Sequence, residues 1–342
     1  MNRSFRRIFQ VLCIFAASSA IAFGLENKPD RMFIIDDDIG MNRAGCEEAG
    51  CYIAPKFKIC DPDGGLELIY ALREPGVEIM GVTIMMGCST TPVCTVAAKN
   101  ILKVMGREDI PVLEGAHHPS DLGKETPAAR FIIDTVMNNP GKIEIIATGP
   151  LTNIATAMMI EPRLPQNWRE LHFATGEFNR ALGQTTDLYL ISLAGIPDMN
   201  VNTDAVATRY VLENGGPFPI YPNEIMDDVS LNKKDWKKIK NSGTPLGDFV
   251  AEEIRPVIRL GSGIGRLVGM NGMFVHGVIP TAIALDPACE TESMESAVIM
   301  KKFGRKGYAF VLSDDPKLPK HKIHVRLKNP EKLHDTLIER LR

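Results

Sequence analysis

The chain predicts an α/β fold: a single large domain on a mostly parallel, Rossmann-like sheet. Three observations carry this. Short apolar runs alternate with stretches of helical length from residue 31 to residue 214, the pattern of a parallel sheet covered on both faces. The 342 residues are 44% hydrophobic and 24% charged, which suits a large core and is too apolar for disorder. No repeat, low-complexity tract or break in composition marks a linker. A formal net charge of −3 leaves no basic excess for polyphosphate, which excludes nucleic acid as a main partner.

The N-terminus stands outside the fold. Arg3, Arg6 and Arg7 precede the apolar run Val11 to Phe23, with small residues at Ser18, Ser19, Ala20 and Ala22, so residues 1–24 read as a secretory signal peptide. The run is shorter than the ~20 residues of a membrane span, and no membrane association is expected after cleavage. Secreted or periplasmic localisation follows. Cys46, Cys51, Cys60, Cys88, Cys94 and Cys289 then remain, an even number in an oxidising compartment, and they contain no CxxC pair. Disulfides are therefore expected before thiolate metal sites. A short Cys88–Cys94 link is one candidate.

From residue 31 to residue 342 a single domain is expected. Arg31 to Ile35 is a buried strand ending in Asp36, Asp37, Asp38, Ile39 and Gly40. Residues 41–60 hold three cysteines and no clean period, and read as a stapled insertion forming a flap over the strand ends. Asp61-Pro62-Asp63-Gly64-Gly65 opens a helix whose first-turn carboxylates suit its dipole. Strands follow at Val77 to Met85, Ile110 to Glu114, Ile143 to Thr148, Leu171 to Ala174 and Pro219 to Tyr221. Helices are predicted from Pro92, Thr126, Leu151 and Asp204. Lys233 to Arg259 reads as a helical surface or lid region. The chain ends in antiparallel strands, Ala297 to Lys302, Tyr308 to Ser313 and His324 to Leu327, and a helix from Pro330.

The acidic cluster is the sharpest chemical feature. Asp36 and Asp38 leave a strand end, where open α/β sheets bind ligands, and Asp61 and Asp63 open the next helix. Carboxylates forced together repel unless a cation separates them, and an oxygen-only set suits Ca²⁺ or Mg²⁺. A solvated acidic turn with a helix cap is the plain alternative. His276 stands at a strand-to-helix corner, where an imidazole can serve as general acid or simply pack. Gly149 to Asn153 makes a turn too poor in Gly and Lys for a phosphate loop, and the His117-His118 pair reads as a surface turn.

These residues resemble the inosine-uridine preferring nucleoside hydrolases. The opening Phe33 to Gly40 is similar to that family's strand ending D-x-D-x-G. Further similar stretches are Ala71 to Thr83, Lys99 to Gly115, Ile143 to Ala155, Asp198 to Val211 and Phe274 to Pro287, in family order. The resemblance implies the nucleoside hydrolase fold, a Ca²⁺ at the strand ends and water attack on the anomeric carbon of a small-molecule ribonucleoside. It implies Asp38 as metal ligand and water-activating base, Asp36 as the first aspartate of the motif, and Thr148 as donor of a backbone carbonyl to the ion. Asp198 and Asn200 stand where the family grips ribose hydroxyls, and His276 where it assists the leaving base.

The chain also departs from the family pattern. Asn42-Arg43 and the insertion replace the motif's paired aspartates. Asp61-Pro62-Asp63-Gly64 restores the pair only in part: Asp63 takes the first, ribose-facing place, and Gly64 the second, a ligand place. Asp61 and Asp63 are the candidates to compensate as ligands. Gly277 follows His276 where another ligand aspartate is expected, Cys88 replaces an Asn, and Ser192 falls near a ribose-contacting Asn. Weak Ca²⁺ binding with slow hydrolysis is expected, tightened by Gly277→Asp. A degenerate, non-catalytic binder of ribosyl compounds is the alternative reading, and a hydrolase of another N- or O-glycoside a third. Base preference and self-association are left open.

Overall fold

The computed structural model describes residues 31–41, 61–178, 198–263, 272–303 and 307–342. The predicted signal peptide, the insertion from residue 42 to residue 60 and Ser192 lie outside the described residues. The chain runs β1 (Arg31–Asp37), α1 (Asp63–Leu72), β2 (Val77–Ile84), α2 (Thr91–Val104), β3 (Val112–Glu114), α3 (Pro127–Asn138), β4 (Ile143–Ala147), α4 (Thr152–Ile160), α5 (Leu164–Asn167), β5 (Glu170–Phe173), α6 (Met199–Thr203), α7 (Ala205–Asn214) and β6 (Pro219–Ile220). It continues through α8 (Asn223–Met226), β7 (Ser230–Leu231), α9 (Lys233–Lys240), α10 (Pro245–Ser262), β8 (Met273–Phe274), α11 (Val278–Leu285), β9 (Thr291–Phe303), β10 (Gly307–Ser313), β11 (Lys320–Leu327) and α12 (Pro330–Arg340).

Nine strands form one sheet in the order β10-β9-β11-β6-β5-β4-β1-β2-β3. β1 pairs in parallel with both β2 and β4, so the chain steps outward from β1 first to one side and then to the other. That is the switch point of a doubly wound sheet, and the crevice outside the carboxyl ends of β1 and β4 is where such sheets bind ligands. β9 pairs antiparallel with β10 and β11, as the sequence predicts.

The two faces of the sheet bury separate apolar layers. Phe33 and Ile35 of β1 pack with Leu66, Leu68 and Ile69 of α1 and with Val278, Ile279 and Ala282 of α11. Ile34, on the opposite side of the pleat, packs with Ile132, Ile154 and Val211 from α3, α4 and α7. Each such side chain contributes roughly 1.5–3 kcal/mol by leaving water, so β1 is pinned from both sides. The stretch from Lys233 to Arg259 is not a loose surface or lid region: Ile239, Val250, Ile254 and Ile258 are buried in the same core as β1. The Trp236 indole Nε1–H also donates to Ala251 O at 2.8 Å, tying α9 to α10. Three apolar anchors at i, i+4 and i+8 on α10, with Ile239 on α9, outweigh the charged faces that dominate its composition.

At the amino ends of the strands, Glu144 is 1% exposed. It accepts from Arg31 Nε at 2.9 Å, makes an ion pair with Arg31 Nη2, and lies 2.9 Å from His172 Nε2. Burial pushes the Glu144 carboxyl up, but the bonds from His172 and Arg31 outweigh it and hold it below the usual range. Its stabilising effect is therefore complete above the ordinary carboxylate range and is lost as pH falls below it. Glu144→Ala would leave the Arg31 guanidinium without its buried partner and is expected to destabilise by about 3–5 kcal/mol, read by urea unfolding at pH 7. A loss near zero would show that the network is only surface decoration.

Candidate active site

The site begins where β1 runs out. Asp36 is completely buried. Its Oδ1 accepts from Thr83 Oγ1 at 2.5 Å and from Asn153 Nδ2 at 3.0 Å, which ties β1 to β2 and α4. Burial, opposed by these two bonds, pushes the Asp36 carboxyl up to about 7.

Asp37 points to the other side of the pleat, toward the start of α1. Burial first, then the charges of Glu67, Asp38 and Asp63, holds its carboxyl well above the usual range. Asp38, just past the strand, accepts from the Cys88 backbone N–H and is pushed up to about 6, chiefly by burial.

The start of α1 supplies the second arc. Asp63 Oδ1 accepts from the Gly64 N–H at 2.8 Å, and its Oδ2 accepts from the Gly277 N–H at 3.1 Å. One carboxylate thus joins the helix start to the corner before α11. Asp61 accepts from the Asp63 N–H at 3.3 Å; burial and the Asp63 charge raise its pKa, opposed by His276.

Glu67 completes the arc from the second turn of α1. It is fully buried, and its Oε1 accepts from Thr281 Oγ1 at 2.9 Å. Burial outweighs its bonds and raises it well above the usual range, with Asp63 and Asp38 adding like charge. Thr148, at the end of β4, stands beside Glu67 and favours its charged form.

His276 faces this acidic arc. Its Nε2 lies 2.9 Å from Asp227 Oδ1, and its ring stacks on Phe274 with centroids 5.5 Å apart. Burial acts against its charge, yet Asp227 first, then Asp63 and Asp61, raises the imidazole to about 9. The histidine is therefore protonated at neutral pH, as a proton donor must be.

The predicted residues divide into three groups. Asp38, Asp61, Asp63, Thr148 and His276 are brought together. Asp36 is held on the far side of the strand by Thr83 and Asn153, and the carboxylate acting on it is Asp38. Asp198 caps α6: it accepts from the Val201 N–H at 2.7 Å, Thr175 Oγ1 at 2.8 Å and the Gly176 N–H at 3.0 Å. With both oxygens so engaged, Asp198 positions Asn200, whose Nδ2 donates to Thr148 O at 2.6 Å.

The Cys88–Cys94 link is a correction, since the structure does not join these two sulfurs. Cys94 Sγ instead lies 3.4 Å from Asp38 O, and Cys88 Sγ lies 3.8 Å from Asp61 O. Peptide mapping after alkylation without reductant should recover no peptide that links Cys88 to Cys94. A recovered Cys88–Cys94 disulfide would contradict the packing around Asp38.

Asp37, Glu67 and Asp227 are absent from the predicted site. Glu67 did leave a trace, as a lone carboxylate among Leu66, Leu68 and Ile69. Asp227 left none, because its partner lies 49 residues away.

An oxygen-seeking cation fits the arc. Asp37 Oδ2 and Glu67 Oε2 are buried without a hydrogen-bond partner, and a hard cation would satisfy both oxygens and their mutual repulsion. Among the described residues, the ligand atoms of three side chains come within 4.8 Å of one another in Glu144, Glu170 and His172. That trio sits at the other end of the sheet, where Arg31 already neutralises Glu144. The strand-end carboxylates stand further apart, so side-chain rotation would have to draw them in.

Comparison with known proteins agrees with this geometry. Residues 59–334 match the family model described as inosine-uridine preferring nucleoside hydrolase. A probable uridine nucleosidase of Oryza sativa subsp. japonica is 26% identical over 225 residues, 57% of this chain and 64% of the relative, just under two thirds of its length. The pyrimidine-specific ribonucleoside hydrolase RihB of Escherichia coli O157:H7 is 22% identical over 56% of this chain and 67% of its own. Among solved structures, the plant nucleoside hydrolase PpNRh1 superposes with a TM-score of 0.72 at 22% identity, covering 92% of this chain and 99% of that one. A purine-preferring ribonucleoside hydrolase from Gardnerella vaginalis gives 0.70 at 19% identity, covering 91% and 98%. The chain belongs to the inosine-uridine preferring nucleoside hydrolase family.

Proposed function

We propose that the protein is a Ca²⁺-assisted nucleoside N-ribohydrolase, converting a ribonucleoside and water to ribose and free base. The observation that carries the reading is the pairing of His276, kept protonated by Asp227, with buried carboxylates across the same strand-end crevice. The activities by which the relatives are named support it: they share the ribonucleoside and differ in the base, uridine or pyrimidine in two and purine in another. The reading therefore commits to the ribosyl half of the substrate. Secretion or a periplasmic location is part of the proposal, supported by Arg3, Arg6 and Arg7 ahead of the apolar run from residue 11 to residue 23.

The chemistry divides between two sides. The glycosidic C–N bond breaks as the sugar gains oxocarbenium character, which negative charge nearby stabilises. Asp38 would take a proton from the attacking water, whose oxygen bonds to the anomeric carbon. His276 would give its proton to the departing base nitrogen. Asp63 and Asn200 would meet ribose hydroxyls, as the resemblance to the family implies, with Asp63 accepting from them beside its bonds to the Gly64 and Gly277 N–H groups. Asp38 and the Thr148 carbonyl would help hold a Ca²⁺, which would lower the pKa of a water and offset the carboxylate charge.

Wild type is expected to release free base from inosine or uridine, measured as reducing sugar. Nucleoside binding by calorimetry without any release would instead favour the non-catalytic binder. Asp38→Asn is expected to lower kcat by roughly 10²–10⁴-fold. His276→Ala should slow mainly substrates whose bases leave poorly.

The pH profile gives an independent check. Asp38 must lose its proton to act, so kcat/KM should fall on the acid side, and a bound Ca²⁺, which favours the carboxylate, should hold that limb below the metal-free value of about 6. His276 must keep its own, so the rate should fall near pH 9. The charges facing the imidazole are Asp227, Asp63 and Asp61. Asp227→Asn removes the largest favourable one, so the alkaline limb should move to lower pH while the acid limb stays. An unmoved alkaline limb would rule out His276 as the donor.

A further inference from the structure

We infer that Glu67 and Asp37 supply the cation-facing carboxylates that Gly277 and Gly64 cannot, so that the acidic site of this chain is relocated rather than lost. The inference rests on the Ca²⁺-assisted reading above and names its ligands. Glu67 is fully buried; one of its oxygens is satisfied by Thr281, while Oε2 makes no hydrogen bond of ordinary geometry, nor does the hydroxyl of Thr148 beside this carboxyl. A Cβ placed on Gly277 would lie 2.6 Å from that same Oε2.

The trade recurs at the start of α1. A Cβ on Gly64 would lie 2.0 Å from Asp37 Oδ2, a second buried oxygen without a partner. At each glycine, a neighbour's carboxylate has entered the room a side chain would fill. In both cases the oxygen that enters is the unsatisfied one.

A purely structural role does not explain this. An unsatisfied buried polar atom costs about 1–3 kcal/mol, and apolar residues would pack α1 as well without it. A water could bridge the two oxygens but brings no charge to offset Asp37, Asp38, Asp63 and Glu67 together. A hard divalent cation, which takes about six to eight oxygens, answers both needs. Gly277→Asp is then not a repair, as the sequence alone suggests: its carboxylate would collide with the one already there.

The test titrates chelator-stripped full-length protein with Ca²⁺ by calorimetry and follows melting temperature with and without Ca²⁺. Wild type should bind. Glu67→Gln, isosteric and able to keep the Thr281 bond, should weaken binding by at least about tenfold, some 1.4 kcal/mol, and shrink the Ca²⁺-induced rise in melting temperature. The metal-free melting temperature should hold or rise, whereas a structural Glu67 would lower it. Gly277→Asp alone should weaken binding, and the double variant Glu67→Ala with Gly277→Asp should recover most of it. Unchanged binding in Glu67→Gln, or tighter binding in Gly277→Asp alone, would overturn the relocation while leaving the cation reading intact. If wild type neither binds Ca²⁺ nor gains melting temperature from it at millimolar levels, the cation reading fails and the relocation with it.

Discussion

Carboxylates crowded into a buried crevice at the end of β1 set most of what surrounds them. Asp36 keeps its proton to about pH 7 instead of about 4, roughly 4 kcal/mol against the charged form. Thr83 and Asn153 favour the charged form, but burial outweighs both, and the Asp38 charge adds a smaller push the same way. The remaining acids have less help: Asp38 has a backbone N–H, and Asp63 has two. Each of those donors comes from a different segment, so the crevice cannot relax without moving the start of α1, the turn after β2 and the corner before α11 together. The rigidity of the site and its electrostatic strain have the same origin.

The other end of the sheet shows what a finished ionic network looks like. Glu144 is buried beside Arg31 and His172, and its carboxyl is held below the usual range. At the strand ends the carboxyls are raised instead, because partners of opposite charge are few and His276 leans on Asp227. One sheet therefore carries two acidic clusters with opposite fates. The Glu144 cluster is closer-packed, but its charge is already met by protein. The strand-end cluster is more open, and its unmet charge gives a ligand something to do.

Much of this was legible in the sequence because it depends on local pattern. Alternating strand and helix periods place β1 through β6, and the Asp36 to Asp38 run marks the C-terminal end of β1, where the switch point falls. His276 was visible as a polar residue at an apolar corner. Asp227 and Glu67 were not, since their roles depend on partners 49 and 214 residues away, and no periodicity reports such distances. Asp198 misled for a related reason. A carboxylate immediately before a helical run serves equally as a cap or a ligand, and only the three donors around it show it at work as a cap.

The geometry of α1 explains how carboxylates can move without the crevice losing its charge. Gly64 and Glu67 are three residues apart, so they share one face of the helix. Helical Cα–Cβ bonds tilt toward the N-terminus, so the glutamate side chain leans back toward the start of α1, where its Oε2 takes the room beside Gly277 while Asp37 takes the room beside Gly64. On β1, successive side chains point to opposite sides, so Asp37 reaches α1 from a position that neither Asp36 nor Asp38 can share. What the crevice fixes is a volume that must contain oxygens, not the backbone positions that deliver them. A glycine at a ligand position is therefore weak evidence for a missing ligand until the neighbouring side chains have been examined. Here a Cβ on either glycine would stand 2.0 or 2.6 Å from an unsatisfied carboxylate oxygen, which is close enough that each glycine is a condition for the carboxylate beside it.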